Sequence, residues 1–148
     1  MDRSAPRPQG HYVPAKRHGD MIFVSGMTPR EGSQLLHVGQ VDPEAPVETY
    51  RQAVELAAGN ALKAAQSQMR GEEQTISVLN LTVYVNAPEG YELHSKIADF
   101  ASSFLEEHTN DGVPSRAAVG VSSLPGNATV EVSIIVAAGD VVPEAASE

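Results

Sequence analysis

The chain has 148 residues, 41% of them apolar, no cysteine and a formal net charge of −9. That is enough chain for one domain with a buried core, and too acidic a chain to grip nucleic acid or anionic lipid by charge. It also lacks the residue that disulfides, thiol nucleophiles and thiolate metal sites require.

Residues 1–10 are Pro-rich and polar and are expected to be loose. The first stretch also lacks the apolar centre of a secretory signal, and no run approaches the ~20 apolar residues of a membrane span. A soluble cytoplasmic protein is therefore expected. Tyr12-Val13 reads as the start of a first strand, turned back near His18-Gly19-Asp20, and Lys16-Arg17-His18 is the one basic cluster. Residues 21–25 (MIFVS) form a strand. Gly26 follows, then a loop through Pro29 to Gly32 and a short strand at 35–38.

Pro46 opens a helix expected over about 46–69, since proline suits a first helical turn. Val47, Tyr50, Val54, Ala57, Ala61 and Ala65 recur at helical spacing, which makes an apolar stripe small enough to pack closely on a sheet. Gly71 is the expected stop. Residues 75–85 form the longest strand, with Leu79, Leu81, Val83 and Val85 expected on one face, and Ile76, Val78, Asn80, Thr82 and Tyr84 on the other. A second helix is expected over about 91–107, with Ile97, Ala98, Ala101, Phe104 and Leu105 inward and Asp99 in solvent.

Residues 112–136 read as two strands joined by a turn at Leu124-Pro125-Gly126-Asn127. In the second, Val130, Val132, Ile134 and Val136 alternate with Glu131, Ser133 and Ile135. One arginine, Arg116, and one glutamate, Glu131, thus interrupt sequence that otherwise wants burial. A buried charge costs several kcal/mol unless it meets a partner, water or a ligand. Everything after about residue 137 is small and acidic and is expected to fray. The five histidines show no metal spacing, and Ser122-Ser123 lacks the Gly-x-Ser-x-Gly setting of a nucleophile elbow.

This order of elements has too few helices for a doubly wound sheet. It predicts an α+β domain over residues 1–148, with two helices on one face of a mixed sheet. The other face is then bare, and self-association is the economical way to cover it.

Pro114-Ser115-Arg116, Val121-Ser122-Ser123-Leu124-Pro125 and Val130-Glu131-Val132 together resemble the signature of the RidA/YjgF family of reactive-intermediate deaminases. Gly10-His11-Tyr12, the run from Gly19 to Gly26, and Asn60-Ala61-Leu62 extend the likeness over roughly residues 10–136. The resemblance implies a chorismate-mutase-like fold, two helices on a six-stranded sheet, assembled as a homotrimer around a central barrel. It places ligand clefts between subunits. It implies hydrolysis of 2-enamine/2-imine acids to 2-keto acids and ammonia, with no metal or organic cofactor. Arg116 would bind the substrate carboxylate, and Glu131 would hold or activate water. Tyr12, Ser25 and Gly26 would line the cleft, and Ala118 would offer a backbone carbonyl. The second helix carries Ile97 and Phe100 where well-studied deaminases of the family carry Asn and Tyr. A non-catalytic trimer that binds small carboxylates is the alternative, and a ribonuclease is a third reading that the −9 charge opposes.

Overall fold

The computed structural model describes residues 5–139. Five strands form the main sheet: β1 (Ala15–His18), β2 (Met21–Val24), β5 (Thr75–Asn86), β6 (Ser115–Val121) and β7 (Val130–Gly139). They lie in the order β1-β2-β7-β5-β6. A separate two-stranded ribbon, β3 (Arg30–Glu31) with β4 (Gln34–Leu35), makes the remainder. The expected six-stranded sheet is thus five strands plus a small hairpin, and of the strand foreseen at 35–38 only Leu35 lies in that hairpin, while Val38 makes a single bridge to Ala128. The first strand begins at Ala15 rather than Tyr12.

Helices α1 (Arg51–Gln66) and α2 (His94–His108) pack together on one face of the sheet. Residues 47–50 form a tight 3₁₀ turn before α1 proper. The helix ends earlier than Gly71. After Gln66 the bonds shorten to Gln68 N–H on Ala65 and Met69 N–H on Gln66, the usual tightening of a last turn. Gly71 then supplies the left-handed residue of the connection, at φ +50°. Of the stripe, Val54, Ala57, Ala61 and Ala65 are fully buried, against Ile22, Val132, Ile134 and Val136 among others in one cluster. Alanine lets the helix axis lie close to the strands at little cost in side-chain entropy.

Two sequence expectations about the sheet need correction. First, β6 and β7 are not a hairpin. Strand β6 runs parallel to β5, reached through α2, and β5 separates it from β7. A parallel neighbour needs such a crossover. Second, Leu79 does not face the core. Val78 pairs with Val136 and Asn80 with Ile135, so Leu79 is an extra residue against β7. This bulge resets the alternation. Ile76 and Val78 on one side of it, and Leu81, Val83 and Val85 on the other, all reach the core, while Leu79 is 41% exposed. Ser115 donates its hydroxyl to the Leu79 carbonyl at 2.9 Å, which satisfies a group the bulge leaves beside the ladder.

The opposite sheet face carries Phe23, Leu79 and Val119, all exposed, together with Tyr84, Glu131, Ser133 and Ile135. Strand β7 continues through Gly139, past the point where fraying was expected. The expectations for residues 1–4 and 140–148 lie outside the described residues. Among the described residues, no helix is long and apolar enough to cross a membrane.

Candidate functional site

Glu131 sits near the start of β7, on the face away from the helices, paired across to Tyr84 of β5. Its carboxyl lies over Gly26, where an added Cβ would stand 2.7 Å from the Glu131 Cδ and closer still to Oε2. A side chain at this position would push the carboxyl aside. Tyr12, Ser25, Gly26, Pro125 and Glu131 line an open pocket of about 340 Å³. Four of the predicted site residues therefore meet in one place. Burial pushes the Glu131 carboxyl up from its ordinary value, because a half-buried carboxylate loses hydration.

The pocket's walls are held by backbone bonds. Ser25 donates its hydroxyl to the Val13 carbonyl at 2.7 Å, and its N–H to the Pro14 carbonyl at 2.9 Å. These bonds fix the segment that carries Tyr12, so the Ser25 hydroxyl proton is committed to the wall. Tyr12 itself is 49% exposed. Met27 bridges to Val132 through both of its backbone groups at 2.8 Å, which holds Gly26 against β7. Asn60, buried on α1, donates to the carbonyls of Thr28 and Arg30 at 3.1 and 2.8 Å. It is a support for this loop that sequence reading noticed only as part of a resemblance.

Arg116 and Ala118 lie elsewhere. Strand β6 pairs with β5 so that Arg116 stands beside Leu81 and Ala118 beside Val83. Leu81 and Val83 are core residues on the helix side, so Arg116 and Ala118 face the helices. Glu131 faces the other way, two strands over. The two charges do not pair with each other. Arg116 instead reaches α2. Its Nη1 donates to Asp99 Oδ1 at 2.7 Å and to Ser102 Oγ at 3.0 Å. Its Nη2 donates to Ser95 Oγ at 2.7 Å and to the Ser95 carbonyl at 3.3 Å. Asp99 is therefore a partner of the arginine rather than a purely solvated residue, although its side chain stays 65% exposed. Ser95, Asp99 and Ser102 recur at i, i+4 and i+7, which places them on one helix face. That spacing was the available signal for this cluster.

The basic cluster at Lys16-Arg17-His18 is not a basic patch. Arg17 donates through both Nη atoms to Glu73, each at 2.6 Å. The Glu73 carboxyl is held at about 2, chiefly by that hydrogen bond. Ile97 and Phe100 are buried in α2, with the Arg51 guanidinium 4.5 Å above the Phe100 ring. A separate open groove of about 560 Å³ lies at the start of α2, lined by Tyr91, His94, Gly120 and Ser122 among others. None of the predicted site residues lines it. Among the described residues, no group of three or more His, Cys, Asp or Glu side chains is placed to hold a metal ion.

The sequence matches the family described as "Endoribonuclease L-PSP" over residues 2–138. The chain belongs to the YjgF/RidA family. It is similar to Protein TCP17 of Trypanosoma cruzi, 27% identical over 135 residues, which are 90% of this chain and 84% of that one. A solved structure of the protein Atu1372 from Agrobacterium tumefaciens, a protein of unknown function, is 30% identical. It superposes with a TM-score of 0.75 over 88% of this chain and 84% of its own. Escherichia coli TdcF, solved with bound serine, shares the fold at 22% identity and a TM-score of 0.59, covering 93% of this chain and 95% of its own. The YjgF/RidA fold thus accounts for the two helices and the mixed sheet.

Proposed function

We propose that this member of the YjgF/RidA family hydrolyses short-lived 2-enamine/2-imine acids to 2-keto acids and ammonia. It works as a homotrimer whose clefts take Arg116 from one copy and Glu131 from another. The observation that carries this reading is the Glu131 carboxyl. It is half-buried, its pKa raised from the ordinary value by lost hydration, and set over a glycine in an open pocket with Tyr12 and Ser25. A carboxylate in that state holds a water well and titrates nearer to neutrality than an exposed one.

Arg116 and Glu131 lie on opposite faces of one sheet, so a ligand touching both must meet them on different chains. That geometry, and a bare face carrying Phe23, Leu79 and Val119, support assembly. Bound serine in TdcF supports a small amino-acid-like ligand. The guanidinium takes the substrate carboxylate, since it is always charged and presents a planar fork. Glu131 accepts a proton as its water attacks C2 of the imine. That proton passes to the imine nitrogen and gives the carbinolamine; its hydroxyl proton then moves by way of Glu131 to the amine, the C2–N bond breaks as C2=O forms, and ammonia leaves the keto acid behind. Positioning one water beside a bound imine supplies proximity, and the general base adds on the order of 10²–10⁴-fold. No step calls for a cofactor.

A second reading, a trimer that binds small carboxylates without turning them over, is favoured by one observation. Ile97 and Phe100 are core residues, and they bring no polar group to any cleft. One assay separates the two. A pyridoxal-phosphate dehydratase generates the imine, and keto-acid release is followed with and without this protein. Acceleration that is lost in both Arg116→Ala and Glu131→Gln is expected. Release at the uncatalysed rate, with the wild type binding keto acid, selects the second reading. A monomer in solution sinks both. Ribonuclease activity is opposed by the −9 charge and by the capture of Arg17 in an ion pair.

A further inference from the structure

The fork of Arg116 is already occupied. An arginine offers five N–H donors. Four of them, both pairs on Nη1 and Nη2, are engaged by Asp99, Ser102 and Ser95, and Nε makes no hydrogen bond among the described residues. A carboxylate bound in two-point fashion needs at least one Nη hydrogen. It therefore cannot dock without displacing a group from α2. Asp99 differs from the two serines in carrying a negative charge, and that charge cancels the one that would attract an anion. Its side chain is also 65% exposed, against 19% for Arg116, so it can turn into water at little cost.

We propose that Asp99 is a built-in competitor for the anion seat. Its carboxylate holds the place of the substrate carboxylate on Arg116, is exchanged for it on binding, and so sets the affinity of the site. This rests on the reading of Arg116 as the carboxylate-binding residue. The exchange is carboxylate for carboxylate, and no proton need move. It leaves Ser95 and Ser102 to steady the guanidinium while the ligand is bound. A seat that is filled most of the time weakens the apparent affinity by the fraction of time it is free. The device favours ligands with a full negative charge, which can compete, over neutral amides and esters, which cannot.

The test is calorimetric titration of 2-oxobutanoate into the full-length protein, beside the coupled assay. Asp99→Asn keeps the shape and one hydrogen bond but removes the charge. It should tighten 2-oxobutanoate about 10-fold or more and lower KM by a similar factor, with kcat little changed. Asp99→Glu, which keeps the charge, should stay near wild type. Arg116→Ala should abolish binding in either background. If the wild type binds through Arg116 but Asp99→Asn binds equally or more weakly, Asp99 is a support for the arginine and the competitor idea falls while the functional reading stands. If neither the wild type nor Asp99→Asn binds 2-oxobutanoate, the arginine is not an anion seat, and both fall.

Discussion

Two arginines stand on the two edge strands of the same sheet, each tied to a carboxylate from a helix or the turn after one. Arg17 on β1 has a side chain only 4% exposed, and its partner Glu73 is 12% exposed. Arg17 also donates to the carbonyls of Gly19 and Gln68 at 2.8 and 3.0 Å, and Glu73 accepts the Arg70 N–H at 2.7 Å. Arg116 on β6 has a partner, Asp99, whose side chain is mostly in water. Both pairs are close in distance, 2.6 and 2.7 Å. They differ in what surrounds the carboxylate. A dry, fully bonded partner makes a clamp, and a wet one can be traded for another anion.

The sharpest break of this comparison is Arg17→Ala. It strands a largely covered carboxylate and leaves the Gly19 and Gln68 carbonyls without their donor, so thermal unfolding by circular dichroism should show a Tm loss on the order of 10 °C. Acid should act on the same clamp. The Glu73 carboxyl titrates at about 2 in the fold against an ordinary 4.5. Ionised Glu73 is therefore favoured by folding, and its contribution is complete above 4.5, shrinks as pH falls and is gone near 2. Urea midpoints measured down that range should decline, and Glu73→Gln should flatten the decline. Arg116→Ala should cost less, about 2–4 °C, and a loss matching that of Arg17→Ala would make both edges clamps. The smallest effect belongs to Glu131→Gln. Burial raises that carboxyl's pKa, so the protonated form is favoured by folding and ionisation at neutral pH opposes it. The variant should melt slightly higher than wild type at pH 7, and the gap should close toward pH 4.

Much of this was legible in the sequence because it is periodic. The alternation in residues 130–136 and the alanine stripe of α1 declare their buried faces directly. Tyr12, Ser25, Gly26 and Glu131 were gathered by resemblance, and they do share a pocket. What escaped was either non-local or off-period. Nothing in residues 112–136 says that β5 inserts between β6 and β7, because sheet order is decided by a crossover and not by a turn. Arg17 and Glu73 are 56 residues apart, so a basic tripeptide looked like a patch. Asp99 looked like any polar helix residue until a strand was laid beside it. Leu79 was assigned to the wrong face because a period of two has no place for an extra residue.

That extra residue gives β5 something like a reading frame. Residues 75–78 and 81–86 obey the same inward pattern only because one position between them is skipped. Exchanging Leu79 for another side chain should matter little, and deleting it would let Val78 and Asn80 follow one another directly against Val136 and Ile135, so that Ile76, Val78, Leu81, Val83 and Val85 would share one face in plain alternation, whereas losing a paired residue instead would turn half the strand inside out.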